Sequence, residues 1–127
     1  MSVPQRRKPE STPLTMSIDD ADSAAPLITV AGDLDFTTAT PLRTALDHLL
    51  AARPPVIVLD FGGLLFIDST GLAVIVHAWR EGHQQGTLIR LRAVPRFLAT
   101  ILDITGVSGL LARTTREDER ERPAASA

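Results

Sequence analysis

The chain has no cysteine and no tyrosine, one tryptophan, and a single lysine among 127 residues. Each absence narrows the chemistry. Without cysteine there are no disulfides and no thiolate metal ligands. Lys8 lies in a polar, basic start, so the other twelve basic residues are arginines. Phosphate loops with an essential lysine and Schiff-base catalysis therefore have no lysine in the body of the chain. The apolar runs are short. Val56-Ile57-Val58-Leu59 cannot approach the length of a membrane span, and no apolar core follows the basic start as a signal peptide requires. The net charge of -2, with no basic stripe through the middle, argues against nucleic acid as the main partner. A soluble, cytoplasmic protein is expected.

What remains is ordinary globular material. Forty-four per cent hydrophobic residues permit a core, and the length fits one domain. Residues 1–11 read as a flexible arm, and 12–115 as the folded domain. Residues 116–127 read as a charged, disordered tail, because from Arg113 onward four arginines and four acids cancel with little apolar surface between them. Thr12 to Ile18 alternates weakly and suggests an edge strand. Leu27 to Ala31 predicts a strand stopped by Gly32, followed by a loop over Asp33-Leu34-Asp35-Phe36. A helix follows, capped by Thr38 or Thr40, with Pro41 in its first turn and Leu42, Ala45, Leu46, Leu49 and Leu50 on one face. Arg53-Pro54-Pro55 ends it.

Val56 to Leu59 predicts a central strand buried on both faces, with a turn at Gly62-Gly63. A second helix is expected from about Thr70 to Gln85, with Leu72, Ile75, Val76 and Trp79 on its apolar side. Thr87 to Leu91 predicts a strand, and Pro95 opens a third helix carrying Phe97, Leu98, Ile101, Leu102 and Ile104. Gly106 is a suitable stop, and Val107 to Ala112 reads as a last short strand. The alternation after residue 27 predicts an α/β domain with a mostly parallel sheet of four to five strands and three to four helices.

The stretch richest in chemistry is Phe66-Ile67-Asp68-Ser69-Thr70-Gly71-Leu72. An apolar run ends in an acid and two hydroxyls, and a helix begins there. Helix starts present free N–H groups and a positive dipole end, so a phosphate on Ser69 is compatible with the fold. The plain alternative is that Asp68 or Ser69 simply caps the helix. A serine hydrolase elbow needs a glycine two residues before the nucleophile, and Ile67 stands there. His77 and His83 lie more than ~10 Å along the helix from Ser69, and His48 is in another element. Asp33, Asp35 and Asp60 suggest a phosphoaspartate receiver, but the lysine such a site needs is missing. Solvated strand-end acids are the simpler reading of Asp33 and Asp60. The isolated histidines give no metal site, and no cofactor is implied. Trp79 reads as a core or helix-edge residue, with a binding surface as the alternative.

Three segments then resemble one family. Gly32-Asp33-Leu34-Asp35 with Thr37-Thr38-Ala39, the run from Val56 through Asp60 to Leu72, and Phe97-Leu98 through Leu102 to Val107 together resemble an anti-sigma factor antagonist, a single STAS domain. The family often packs a fourth helix at the C-terminus, where this chain is short and highly charged.

The resemblance implies a STAS fold and a binding module rather than an enzyme. Its partner would be an anti-sigma factor with a histidine-kinase-like ATPase fold and serine kinase activity. Binding would release a sigma factor, phosphorylation of Ser69 would end the interaction, and a metal-dependent serine phosphatase would restore it. The partner surface would comprise Asp68, Ser69, Thr70 and Gly71, with Asp33, Asp35 and Thr38 beside them. The alternative is a STAS scaffold subunit of a stressosome-like or lipid-transport assembly without a kinase switch.

Overall fold

The computed structural model describes residues 12–104. Within them the order is β1 (Thr15–Asp19), β2 (Leu27–Leu34), α1 (Ala39–Ala51), β3 (Val56–Ile67), α2 (Ser69–Gln85), β4 (Leu88–Arg92) and α3 (Arg96–Ile104). The strands form one sheet in the order β1-β2-β3-β4. β1 runs antiparallel to β2, while β2 with β3 and β3 with β4 are parallel. The expected α/β domain with a mostly parallel sheet is present. The arm, the charged tail, the stop at Gly106 and the strand proposed for Val107 to Ala112 lie outside the described residues.

The core is mostly aliphatic, with Phe61 its one fully buried aromatic among the described residues. Ile28, Val30, Ile57, Leu59, Ile89 and Leu91 point from the strands into one cluster, joined by Leu42 and Leu46 of α1 and Ile75 of α2. Burial of such side chains contributes roughly 1.5–3 kcal/mol each. β3 lies between two parallel neighbours, but it is not sealed on both faces: Ile57 and Leu59 are buried, while Val56 and Val58 are half-buried. The alternation is that of a sheet with one fully covered face.

The sequence reading broke two strands that the structure keeps whole. Gly62-Gly63 is no turn. β3 continues through it for twelve residues, absorbing the glycines as a bulge between the pairs Thr29↔Asp60 and Ala31↔Gly63. A second irregularity separates Gly32↔Leu64 from Asp33↔Phe66. Each inserts one extra residue in β3 and resets which side chains face inward. Leu64 and Ile67 are therefore buried while Leu65 is 62% exposed. Gly32 likewise does not stop β2, which runs on to Leu34. It has φ +94, and a Cβ there would collide with the Pro13 carbonyl. The glycine lets the chain entering β1 cross close to β2.

The expected apolar face of α1 is buried, with Ala45 at its margin. In α2 the face is rotated from expectation. The buried line is Gly71, Val74, Ile75, Ala78 and Gly82, with Leu72 and Trp79 on its flank. In α3 only Leu98 and Leu102 are fully buried, whereas Phe97 and Ile104 are exposed. The far end of α2 is fixed by polar contacts. Thr87 is buried, its hydroxyl donates to the Pro54 carbonyl at 2.7 Å, and it accepts from the Gln85 amide, which also donates to the Leu50 carbonyl. These contacts tie the end of α2 to the last turn of α1 and the segment that links α1 to β3.

Candidate functional site

Parallel pairing of β2 and β3 brings their C-terminal ends together, with Leu34 opposite Ile67. Two segments leave that point side by side: the turn from Asp35 to Thr38, and Asp68 leading into α2. Asp68 joins them. Its backbone is extended, its N–H donates to the Leu34 carbonyl at 3.2 Å, and its carbonyl accepts the first helical bond from Leu72. Its carboxylate is divided between two donors. Oδ1 accepts from the Gly71 N–H at 3.0 Å, and Oδ2 accepts from the Phe36 N–H at 3.0 Å. Asp68 is therefore the cap of α2, satisfying one of the free N–H groups at the helix start.

Because Asp68 takes the cap, Ser69 is released from it. Ser69 occupies the first helical position and is exposed, and among the described residues no hydrogen bond holds its hydroxyl. The positive end of a helix of 17 residues lies directly beneath it. Thr70 is half-buried. Gly71 is buried, and a Cβ on it would stand 2.6 Å from the Leu34 carbonyl oxygen and 2.8 Å from Leu34 Cγ. Its lack of a side chain serves packing against β2; it leaves no open space for a partner.

The second half of the site is a closed polar turn. The Asp35 N–H donates to Thr38 Oγ1 at 2.9 Å, and Thr38 Oγ1 donates to the Asp33 carbonyl at 2.9 Å. Asp35 Oδ1 accepts from both the N–H and the hydroxyl of Thr37. The Thr38 side chain makes no cap bond to α1; its hydroxyl belongs to the turn. Asp33 is not a solvated acid at a strand end. It is 4% exposed within β2, and Oδ2 accepts from the Thr12 N–H at 3.1 Å. Asp60 is not at a strand end either. It lies inside β3, accepts from the Gly62 N–H, and pairs with Arg92 Nε at 3.0 Å. Asp33 and Asp60 are thus each committed to the fold, and the receiver arrangement has no support in these contacts. Among the described residues no group of three or more His, Asp or Glu is placed to hold a metal ion, and no helix is long and apolar enough to cross a membrane.

The structure thus brings Asp68, Ser69, Thr70, Asp35 and Thr38 to one surface and places Gly71 and Asp33 beneath it. His77 and His83 are exposed farther along α2. The half-buried Trp79 ring stands 6.2 Å from that of His83, at the margin of the core. One residue of the site escaped the sequence reading. Phe36 is 74% exposed at the tip of the polar turn. The available signal was an aromatic residue set between Asp35 and Thr37, where turn chemistry calls for none.

Comparison with known proteins agrees with the fold. The family profile described as Mlab, STAS domain, matches residues 18–112. The anti-sigma-B factor antagonist of Listeria monocytogenes is 28% identical over 106 residues, 84% of this chain and 93% of its own length. The crystal structure of an anti-sigma factor antagonist from Mycobacterium paratuberculosis superimposes with a TM-score of 0.63 at 25% identity, covering 76% of this chain and 80% of that one. The antagonist SpoIIAA has the same fold in both its unphosphorylated form (TM-score 0.63, 17% identity, 70% of this chain and 82% of that one) and its phosphorylated form (TM-score 0.65, 16% identity, 76% and 87%). With most of its described residues inside the matched region, and with the sheet and helices already set out, the chain belongs to the STAS domain family.

Proposed function

We propose that this protein is an anti-sigma factor antagonist whose binding is switched off by phosphorylation of Ser69. One observation carries the reading: the Ser69 hydroxyl is exposed at the first position of α2 and, among the described residues, free of hydrogen bonds, on a backbone that Asp68 holds in place. A kinase needs such an accessible acceptor, and the fold has already assigned capping to another residue. The curated relatives and structural neighbours bearing the name anti-sigma factor antagonist support the same reading.

The partner is an anti-sigma factor with a histidine-kinase-like ATPase fold and serine kinase activity. The unmodified protein binds it and frees a sigma factor; the kinase modifies Ser69; a metal-dependent serine phosphatase reverses the change. The chain acts in the cytoplasm as a competitor and a kinase substrate, and performs no catalysis of its own. Asp35, Thr38, Ser69 and Thr70 form the contact surface, held in place by Asp68 and supported from below by Asp33 and Gly71.

Electrostatics suffices for the switch. Phosphorylation adds about -1.5 to -2 charges and three strong acceptor oxygens. The start of α2 tolerates them within the fold. Across an interface the same charge placed against like charge costs several kcal/mol, and about 2.7 kcal/mol is already a hundredfold in affinity. No refolding is needed, and the occurrence of SpoIIAA, a protein of the same fold, in both an unphosphorylated and a phosphorylated form supports this reading.

The test is phosphoryl transfer from the anti-sigma factor kinases of the same genome with radiolabelled ATP. Label is expected on wild type and on Thr70→Ala and absent from Ser69→Ala. Ser69→Ala should still bind the kinase, and Ser69→Glu should bind weakly. Strong binding by Ser69→Glu contradicts charge repulsion. The absence of any kinase partner favours a scaffold subunit of a stressosome-like or lipid-transport assembly instead.

A further inference from the structure

We infer that Phe36 is the apolar anchor of the partner contact, presented beside Ser69 by the Asp68 carboxylate. The inference rests on the function proposed above and adds to it a contact residue and the chemistry of the surface that receives it.

Phe36 is 74% exposed. Ile104 is exposed to a similar degree, but it sits at the end of α3 rather than at the switch. The Phe36 turn is fixed although its ring is free. Every backbone N–H from 35 to 38 has an acceptor: Asp35 donates to Thr38 Oγ1, Phe36 to Asp68 Oδ2, Thr37 to Asp35 Oδ1, and Thr38 to the Asp35 carbonyl. A turn this fully bonded loses little further backbone freedom on docking, and a phenylalanine has only two side-chain torsions to order. Rigid aromatic projections of this kind carry a large share of binding free energy in protein interfaces. Nothing in the turn itself requires an aromatic residue at position 36.

The occupant follows from the surroundings. Asp35 and Thr37 flank Phe36 in the turn, and the bond to Asp68 brings the start of α2 with Ser69 beside it, so the segments around Phe36 carry carboxylates and hydroxyls. The complement of the ring is a protein surface with an apolar pocket sized for one aromatic ring and a cationic or N–H-bearing border. A kinase whose active site must reach Ser69 has to place its surface over this turn, because Asp68, the residue before Ser69, is bonded directly to Phe36. The anchor and the modified hydroxyl therefore belong to one contact. Phe36 touches the partner; Asp68 is a positioning residue that acts through the Phe36 backbone.

The experiment measures affinity for the anti-sigma factor kinases of the same genome, each purified singly, using wild type, Phe36→Ala, Phe36→Leu and Asp68→Asn, with circular dichroism and urea unfolding on each variant and its oligomeric state by light scattering. Phe36→Ala is expected to lose about tenfold or more in affinity, as truncation of a central aromatic does, with an unchanged unfolding midpoint. Phe36→Leu should recover part of the loss. Asp68→Asn should weaken binding to wild-type Phe36 but have little further effect in a Phe36→Ala background, a non-additivity that a purely structural role of Asp68 does not produce. Wild type that binds while Phe36→Ala binds within twofold of it overturns the anchor and leaves the proposed function standing. Wild type that binds none of the kinases overturns both. Phe36→Ala that unfolds, or that converts a wild-type dimer to a monomer without loss of kinase affinity, assigns the ring to folding or self-association and overturns the inference.

Discussion

The Asp68 carboxylate reaches across from the start of α2 to the backbone of Phe36, 32 residues earlier, and accepts its N–H at 3.0 Å. The other oxygen of the same carboxylate caps α2 through Gly71. One side chain therefore sets both the entry to the helix and the position of the neighbouring turn. The proposed contact surface depends on that division of labour, since Asp68 does the capping and among the described residues no hydrogen bond holds the Ser69 hydroxyl.

Asp68→Ala removes both bonds. Loss of a helix cap costs about 0.5–2 kcal/mol, and the Phe36 N–H loses its acceptor as well, so Asp68→Ala should fall at the upper end of that range or beyond it in urea unfolding. Asp68→Asn keeps an oxygen for one donor and should be measurably milder. Equal stability of Asp68→Ala and wild type contradicts the bonding described.

Gly71→Ala puts a methyl group against the Leu34 carbonyl oxygen, at 2.6 Å. In an exposed helix the exchange would gain up to about 1 kcal/mol from propensity. Here overpacking against backbone dominates, at about 1–3 kcal/mol, so thermal unfolding should show net destabilisation. Moving the start of α2 also displaces Ser69, and phosphorylation of Gly71→Ala should be slower than that of wild type.

These two residues show what the sequence made legible. The start of α2 was readable because Asp-Ser-Thr-Gly after an apolar run is local chemistry: a cap, a helix and a glycine within a few residues. Which residue capped, Asp68 or Ser69, was not, because the choice depends on the Phe36 turn packed beside it. The rotated face of α2 was hidden for a related reason. Its buried line passes through Gly71 and Gly82, which add almost nothing to a hydrophobic pattern yet allow the closest approach to the sheet. Asp33 read as a solvated acid because its acceptor bond comes from Thr12, 21 residues away. The bulges that carry β3 through Gly62-Gly63 depend on pairing with β2, and the glycines alone suggest a turn.

Thr87→Val tests the anchor at the other end of α2. It deletes the buried bond to the Pro54 carbonyl and one acceptor for the Gln85 amide while preserving shape. Leaving a buried acceptor unpaired costs about 1–3 kcal/mol, so a lowered urea midpoint is expected. Phosphorylation at Ser69 should be unaffected, since the change lies at the opposite helix end.

Arg92→Ala provides a contrast. The Arg92–Asp60 pair is geometrically good, but the arginine is 59% exposed, and exposed pairs contribute about 0–1 kcal/mol. The variant should unfold near the wild-type midpoint and bind its partner normally. A large loss of stability would show that the pair does more than its exposure allows.

The most direct test of the central claim is the dissociation constant of the anti-sigma factor kinase for two preparations of this protein, one unmodified and one phosphorylated stoichiometrically at Ser69. The account predicts affinity weaker by about a hundredfold or more after phosphorylation, with circular dichroism and unfolding midpoint essentially preserved. Equal affinity of the two preparations, or a weakening that appears only with gross loss of the fold, would contradict it.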